Sequence, residues 1–245
     1  MNNMKILVVG ASGATGSKLV EQLLTKAYKV KVIVRSAEKL KESWKTNDNL
    51  QIITASVLDL SDTEMSKIVS DCSAVASCLG HNLTWKGIYG KPRRLVTEAT
   101  RRLCDAITSN NHQTATKFVL MNTTGNRNRD LNEPISFAQK LVIGLLRLVL
   151  PPHVDNEKAA DYLRTQIGEN NKSIEWVAVR PDNLINEGEV TDYEIHRSPT
   201  RSAIFDAGKV SRINVGHFMA SLIIDNDLWR KWKGQMPVIY SKSPT

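Results

Sequence analysis

The sequence has few of the residues that bind metals or form disulfides. Its three cysteines, Cys72, Cys78 and Cys104, follow no metal-ligand spacing and no C-x-x-C pattern, and their neighbours are mostly apolar. Histidines, cysteines and carboxylates do not cluster at the spacing of a metal site. We therefore expect reduced, mostly buried thiols and no metal centre.

Long apolar runs and secretory features are also missing. The run ILVV near the N-terminus is too short for the core of a signal peptide and has no cleavage site after it. The most apolar stretch, from Leu141 to Leu150, is too short to span a bilayer and contains Arg147, so we expect a buried or partly exposed helix. These features favour a cytoplasmic protein with no membrane span.

The sequence carries a formal net charge of +8 but no basic run interleaved with aromatic residues. The densest basic segments, KPRR at residues 91–94 and RKWK at residues 230–233, are typical of solvated faces rather than of a groove that follows a phosphate backbone. We expect no nucleic-acid partner. An anionic, phosphorylated small ligand is a sufficient use for the surplus charge.

Short apolar runs alternate with helical patterns along most of the chain. The predicted strands cover residues 5–10, 29–34, 50–55, 73–80, 116–125, 174–180 and 236–240. The predicted helices cover residues 14–27, 98–110, 156–168 and 215–225. This alternation predicts one α/β domain over residues 1–245, with a doubly wound parallel sheet and helices on both faces.

Two stretches, residues 126–152 and 181–212, interrupt the alternation, and both follow the end of a predicted strand. In a doubly wound sheet the ligand lies beyond the carboxyl ends of the strands. We therefore expect these insertions to form substrate walls rather than decorative surface loops.

Three glycines, Gly10, Gly13 and Gly16, follow the first predicted strand and open the first predicted helix. The first permits a sharp turn, the second lets the backbone approach a ligand, and the third lets the helix pack closely on the strand. The helix N-terminus then offers N–H groups and a positive dipole end to a pyrophosphate. The predicted cofactor contacts in this turn are Gly10, Ser12, Gly13, Ala14, Thr15 and Gly16.

The second strand ends in VIVRS, which places Arg35 and Ser36 where an NAD-binding protein carries an acid that binds the ribose hydroxyls. No carboxylate there would repel a 2′-phosphate, and a guanidinium can clamp that phosphate and stack on adenine. We therefore predict NADP(H) in preference to NAD(H).

The segments VVGASGATGSKLVEQLL, VIVRS and VAVRPDNL resemble the atypical short-chain dehydrogenase/reductase group, and RINVGHFMASLI resembles its flavin reductase/biliverdin-IXβ reductase type. NmrA-like proteins are similar as well. The resemblance covers most of the chain and implies a Rossmann fold that binds a nicotinamide dinucleotide.

The resemblance also implies contacts at the other strand ends. Adenine would lie near Ser56, Val57 and Asp59, and the ribose and nicotinamide would pass Leu79, Gly80 and His81. The nicotinamide would approach Asn122, Thr123 and Thr124, and Pro181, Asp182 and Asn183 would close the far side. Flavin-reductase relatives tend to have a serine in place of Thr124, which makes this hydroxyl the candidate catalytic group.

One family feature is missing. Ordinary short-chain dehydrogenases use Tyr-x-x-x-Lys, in which the lysine lets the tyrosine pass a proton near neutrality, and no tyrosine of this chain has a lysine four residues on. A flavin, quinone or other conjugated acceptor can take its proton from solvent, whereas a simple ketone usually cannot do so quickly. The resemblance therefore implies an NADPH-dependent reductase of such a small-molecule acceptor, and disfavours epimerase or dehydratase chemistry.

An alternative without turnover stays open: an NADP(H)-sensing regulator of NmrA type, with the apolar helix at residues 141–150 as its partner or dimer interface. For the reductase, aromatic residues in two loops could contact a planar acceptor, although loop packing is an equal or better explanation for them. The candidate substrate residues are Trp85, Tyr89, Asn183 and Tyr193. We expect a monomer or a homodimer.

Overall fold

The computed structural model describes residues 4–38, 40–81, 84 and 89–242, and these alternate between strands and helices. The strands are β1 (Lys5–Val9), β2 (Lys29–Val34), β3 (Leu50–Thr54), β4 (Ala74–Ser77), β5 (Thr116–Met121), β6 (Ile174–Pro181), β7 (Asn183–Ile185), β8 (Tyr193–His196), β9 (Lys209–Ser211) and β10 (Val238–Ser241). The helices are α1 (Gly16–Thr25), α2 (Glu42–Lys45), α3 (Asp62–Val69), α4 (Leu95–Ser109), α5 (Phe137–Val149), α6 (Pro151–Tyr162), α7 (Arg212–Ile224) and α8 (Asn226–Trp232). A π-helical segment, Leu163–Ile167, continues α6.

Eight strands form the central sheet in the order β3-β2-β1-β4-β5-β6-β10-β8. All neighbours are parallel except β8, which runs antiparallel to β10. The connections from β1 lead outward on one side to β2 and β3, and the chain then returns to continue from β4 on the other side. The predicted doubly wound sheet is confirmed, and its switch point lies between β1 and β4.

The central strands are buried on both faces, which explains why they read as continuous apolar runs. In β1, Ile6 and Val8 belong to the core under α1 and α7, whereas Leu7 and Val9 belong to the core under α3 and α4. Successive side chains of a strand point to opposite faces, so a strand with a helix layer on each side is apolar at every position.

Several elements differ from those predicted from the sequence. The helix predicted over residues 156–168 begins at Pro151, which the structure tolerates because an N-terminal helical position needs no amide donor. Helix α3 was not predicted, and a capping box between Ser61 and Glu64 fixes its start. The insertion at residues 181–212 contains β7, β8 and β9; these short strands owe their stability to pairing with distant segments.

Among the described residues no single helix is long and apolar enough to cross a membrane. Helix α5 together with the Pro151–Ile167 helical segment would be long enough, but the two are bent by 104° at their junction.

Candidate functional site

The turn between β1 and α1 depends on glycines at two positions. Gly10 has a φ of +77°, and a Cβ there would lie 2.5 Å from the backbone carbonyl carbon and oxygen of Cys78 at the end of β4. A Cβ on Gly16 would collide with the carbonyl oxygen of Gly10. The turn can therefore fold back on itself and pack against β4 only because both side chains are absent.

The N-terminus of α1 is open to an anionic ligand. Its N-cap residue, Thr15, makes no side-chain capping hydrogen bond, and its first turn contains no acidic residue. The amides of a helix start carry a partial positive charge that attracts anions. The turn thus combines a backbone cradle with a favourable dipole, as a pyrophosphate requires.

A cavity of about 660 Å³, here called the switch-point cleft, lies at the carboxyl ends of β1 to β4. It is lined by twelve of the predicted cofactor contacts: Gly10, Ser12, Gly13, Ala14, Thr15, Arg35, Ser36, Ser56, Val57, Leu79, Gly80 and His81. Sequence reasoning did not assign a contact to several further lining residues: Ile33, Val34, Ala55, Leu58, Cys78, Pro92, Leu95 and Met121. The strand-end positions among them follow from the strand pattern, whereas Pro92 and Leu95 reach the cleft only through the tertiary fold.

The lining of the cleft carries no carboxylate among the described residues, and Arg35 brings a positive charge. Arg35 is exposed, and in the described part of the chain it forms no ion pair. The hydroxyl oxygen of Ser36 accepts a hydrogen bond from the amide of Glu38 at 3.3 Å. A ligand phosphate near the end of β2 would therefore contact the guanidinium of Arg35 and the hydroxyl of Ser36, and no acidic side chain among the lining residues would repel it.

The buried carboxylate of Asp155 positions His81, which lines the cleft. His81 follows β4, and its Nε2 lies 2.7 Å from Oδ2 of Asp155 on α6. The same carboxylate accepts hydrogen bonds from the amides of Val96, at 2.7 Å, and Thr97, at 3.0 Å, in the first turn of α4. Asp155 thus caps α4 from another helix and fixes His81 at the cleft. The resemblance indicated His81, but no sequence signal indicated Asp155.

The candidate catalytic residue, Thr124, lies beyond β5 and is only 5% exposed. Its hydroxyl donates a hydrogen bond to Oδ1 of Asp182 at 3.1 Å, and Oδ2 of Asp182 accepts one from the amide of Gly208 at 2.9 Å. Burial raises the pKa of Asp182 above the usual range for an aspartate, although these hydrogen bonds oppose the shift. Thr124 is not among the residues that line the switch-point cleft.

The neighbouring residues Asn122 and Thr123 connect β5 to α6 rather than line the cleft. Asn122 is buried; its side-chain amide donates to the carbonyl of Asn156 at 2.9 Å, and its Oδ1 accepts from the amide of Thr123 at 2.9 Å. Pro181 is likewise buried and accepts a hydrogen bond from the amide of Thr124 through its carbonyl. Gly16 and Asp59 are also predicted cofactor contacts that do not line the cleft.

Arg180, which precedes Pro181, holds both insertions against the sheet. Its fully buried guanidinium forms an ion pair with Glu133 at 2.7 Å and donates to the carbonyls of Asn126, Met236 and Arg197. Every N–H direction of the guanidinium is thus used inside the protein. The sequence marked this arginine by resemblance alone, and its role as a tie between loops became visible only in the structure.

The three described candidate substrate residues contact different parts of the fold. Trp85 lies outside the described residues. Tyr89 is 38% exposed and donates its hydroxyl to the carbonyl of Val149 at 3.0 Å, and Asn183 is exposed on β7. Tyr193 lies on β8 and packs against α7, where its hydroxyl is 2.8 Å from Nδ1 of His217.

Tyr193 therefore packs against α7 and does not line the switch-point cleft, and its role in substrate binding stays a prediction. Its ring contacts Phe218 in the core beneath α7, and burial raises its pKa to about 12. Strand pairing between β8 and β10 turns this side chain toward α7, a direction that the loop sequence could not indicate. None of the described residues of 126–152 or 181–212 lines the switch-point cleft, so the role of the insertions as substrate walls stays a prediction.

A family model described as NAD(P)H-binding matches residues 10–226 of the chain. Among curated proteins, an uncharacterised chloroplastic protein of Arabidopsis thaliana is 30% identical over 183 residues. The match covers 75% of this chain, and the chain spans only about 60% of that relative.

Solved structures with the same fold cover nearly the whole chain. An NADP complex of a short-chain dehydrogenase/reductase from Veillonella parvula has a TM-score of 0.71 at 16% identity, covering 98% of this chain and 95% of its own. The oxidoreductase ylbE from Lactococcus lactis has a TM-score of 0.69 at 16% identity, covering 99% and 93%. A candidate NADH-flavin reductase from Streptococcus pneumoniae has a TM-score of 0.63 at 19% identity, covering 98% and 100%. These matches agree with the resemblance seen in the sequence.

Proposed function

Because the chain belongs to the NAD(P)H-binding family, we propose that it is an NADPH-dependent reductase of the atypical short-chain dehydrogenase/reductase class. Its acceptor would be a flavin, a quinone or another conjugated small molecule. The observation that carries this proposal is the switch-point cleft, which is open, free of carboxylates among its described lining residues, and bounded by the glycine turn and Arg35.

The preference for NADPH rests on charge at the end of β2. Arg35 and Ser36 would hold the 2′-phosphate, while the amides of the glycine turn and Thr15 would hold the pyrophosphate. A hydrogen bond to a charged group contributes about 1.5–3 kcal/mol, which is enough to separate the two dinucleotides by at least about tenfold. The Veillonella parvula structure with NADP supports this only at the level of the fold.

When bound, the dinucleotide would supply a hydride, that is, two electrons and one proton, to the acceptor. Solvent would supply the second proton, since the chain has no Tyr-x-x-x-Lys pair. Thr124 would hydrogen-bond near the nicotinamide or the acceptor, and Asp182 would orient its hydroxyl. The candidate NADH-flavin reductase from Streptococcus pneumoniae supports an acceptor of flavin type.

The test is NADPH oxidation by the purified chain with a panel of flavins, quinones and conjugated carbonyls, run in parallel with NADH. We expect turnover with at least one acceptor class and a preference for NADPH. The variant Arg35→Asp should weaken NADPH binding by about tenfold or more while leaving NADH binding nearly unchanged. A matched control is Lys172→Asp, which changes an exposed cation in the turn before β6. Unchanged NADPH affinity in Arg35→Asp would exclude the phosphate clamp.

A second candidate function is an NADP(H)-sensing regulator of NmrA type. Thr124 is buried and its hydroxyl is hydrogen-bonded to Asp182. This favours the regulator, because a catalytic hydroxyl must be able to reach its acceptor. NADPH binding detected by fluorescence, together with no oxidation of any acceptor in the same sample, would select this alternative. A cytoplasmic location and a monomeric or homodimeric state remain predictions for either function.

A further inference from the structure

Helix α5 presents an apolar stripe to solvent, here called the outer stripe: Phe137, Leu141, Leu145 and Leu148. These side chains are 83%, 68%, 60% and 84% exposed. At 3.6 residues per turn they lie within about a quarter of the helix circumference. Large apolar side chains concentrated in this way are uncommon on the surface of a protein and mark an interaction site.

The opposite side of α5 is apolar as well, and that side is the one that packs against the rest of the protein. Only Ile143 is fully buried, and Val142 and Leu146 are partly covered where the helix packs on α6. An ordinary surface helix has one apolar side toward the core and one polar side toward water. Here packing accounts for the inner side, and none of the residues that the structure describes covers the outer stripe.

A loop that contacts the N-terminal end of the helix also carries an exposed aromatic residue. Ser202 donates its hydroxyl to Oε1 of Gln139 at 3.0 Å, which fastens the loop before β9 to the first turns of α5. Phe205, three residues further on, is 60% exposed. Two segments that are distant in sequence therefore both carry exposed aromatic side chains in this region.

The charges on α5 have one sign. The helix contains Lys140 and Arg147 and no carboxylate, and both cations flank the same side of the outer stripe. Arg147 also reaches Glu157 on α6, while Lys140 is exposed and, in the described part of the chain, forms no ion pair. The whole chain carries a formal net charge of +8. The complementary surface is thus apolar and anionic.

A second copy of the chain fits this surface less well than lipid does. A two-fold antiparallel pairing of α5 would set Lys140 against the flank of its copy that carries Arg147, and Glu157 already neutralises Arg147, so the pairing offers Lys140 no free anion. A single protruding helix row also offers less area than the roughly 800 Å² per partner of a standard interface. A bilayer needs no matching groove, and long cationic side chains can keep their charges at the headgroups.

We propose that the outer stripe of α5 docks the protein on the surface of an anionic lipid bilayer, with the helix lying in the headgroup region. The helix has 13 residues, too few to cross a bilayer, so it would bind at the membrane surface rather than span the membrane. Apolar burial would provide the attachment, and Lys140 would favour anionic lipids.

The experiment is co-sedimentation of the full chain with vesicles of equal parts phosphatidylglycerol and phosphatidylcholine, and with vesicles of phosphatidylcholine alone. We expect binding to the anionic vesicles that weakens with added salt, and clearly weaker binding to the neutral ones. The double variant Leu141→Gln/Leu148→Gln should bind the anionic vesicles at least about tenfold more weakly, because two exposed leucines lose their burial in lipid. Lys140→Glu should weaken the binding by a smaller factor.

Two control variants match these changes elsewhere on the surface. Val190→Gln replaces an exposed apolar residue, 38% exposed, and Lys172→Glu reverses an exposed cation; both should bind like the unchanged chain. Circular dichroism and NADPH fluorescence establish that the α5 variants are folded. Equal binding of Leu141→Gln/Leu148→Gln, equal binding to neutral vesicles, or a dimer in ultracentrifugation that this variant abolishes without any vesicle binding would each overturn the proposal.

Discussion

Polar groups at the carboxyl ends of β1 to β4 line an open cleft, whereas those at the ends of β5 and β6 hydrogen-bond to one another. On the first side, Arg35 and residues of the glycine turn line the cleft. On the second side, Thr124 bonds to Asp182, and Arg180 bonds to Glu133. The first half is prepared for an anionic ligand, and the second half uses its polar groups to hold its own loops.

This difference separates two reasons for polar residues at strand ends. A polar residue at the end of a parallel strand can contact a ligand, or it can compensate the buried backbone of a long loop. Burial distinguishes the two cases here: Arg180 is fully buried with its donors satisfied, and Arg35 is exposed beside the cleft. The following predictions test whether the halves can be disturbed separately.

The largest effect is expected from Arg180→Met, which leaves Glu133 buried without its cation. We expect a loss of about 3–5 kcal/mol in the free energy of unfolding, measured by urea denaturation. The double variant Arg180→Met/Glu133→Met should recover much of this loss because no charge remains buried. A loss below about 1 kcal/mol in the single variant would show that the ion pair does not tie the insertions to the sheet.

A smaller loss of stability is expected from Gly10→Ala. The added Cβ would lie 2.5 Å from the backbone of Cys78 at a φ of +77°, so we expect a loss of about 2–4 kcal/mol and NADPH binding at least about tenfold weaker. Gly188→Ala is the control, because a Cβ there has nothing within 4 Å. Unaltered NADPH titration in Gly10→Ala would mean that the turn is not part of the ligand site.

The ion pair between Glu157 on α6 and Arg147 on α5 should make the stability of the protein depend on pH. Burial alone would raise its pKa, but His153 and Arg147 lower it from an ordinary 4.5 to about 2. A depressed pKa contributes stability above 4.5 that is lost as the pH falls toward 2. Glu157→Gln should therefore cost about 2 kcal/mol near neutral pH, and the difference from the unchanged chain should shrink in acid.

The measurement is urea denaturation of both proteins at several pH values. Glu189→Gln, in an exposed loop before β8, is the control and should follow the unchanged chain at every pH. A stability difference for Glu157→Gln that stays constant down to low pH would rule out the ion pair with Arg147 as its source.

The smallest effect is expected from Tyr193→Phe. Removal of the hydroxyl takes away the hydrogen bond to His217 and leaves the ring packed on Phe218, so we expect a loss of about 1 kcal/mol in thermal or urea denaturation. NADPH binding and any reductase turnover should be unchanged. A changed KM for the acceptor would instead show that Tyr193 contributes to the substrate site.

Local sequence patterns predicted the structure correctly where the surroundings of a residue depend on a single strand or turn. The apolar run of β1 and the glycines after it predicted a buried strand, a tight turn and a helix start, and these features occur together at the cleft. Local sequence patterns did not predict strand β8 or the role of Asp155. Their environments are created by β10 and by α4, which lie far away in the sequence.

The sequence by itself therefore determined the doubly wound sheet and the place of the glycine turn between its first strand and first helix, because strand period, helix period and glycine spacing are properties of neighbouring residues. Only the tertiary structure decided that Tyr193 faces α7, that Arg180 ties the insertions and that α5 turns leucines outward. Each of these depends on which distant segments pack together, and packing across the sheet leaves no period in the local sequence.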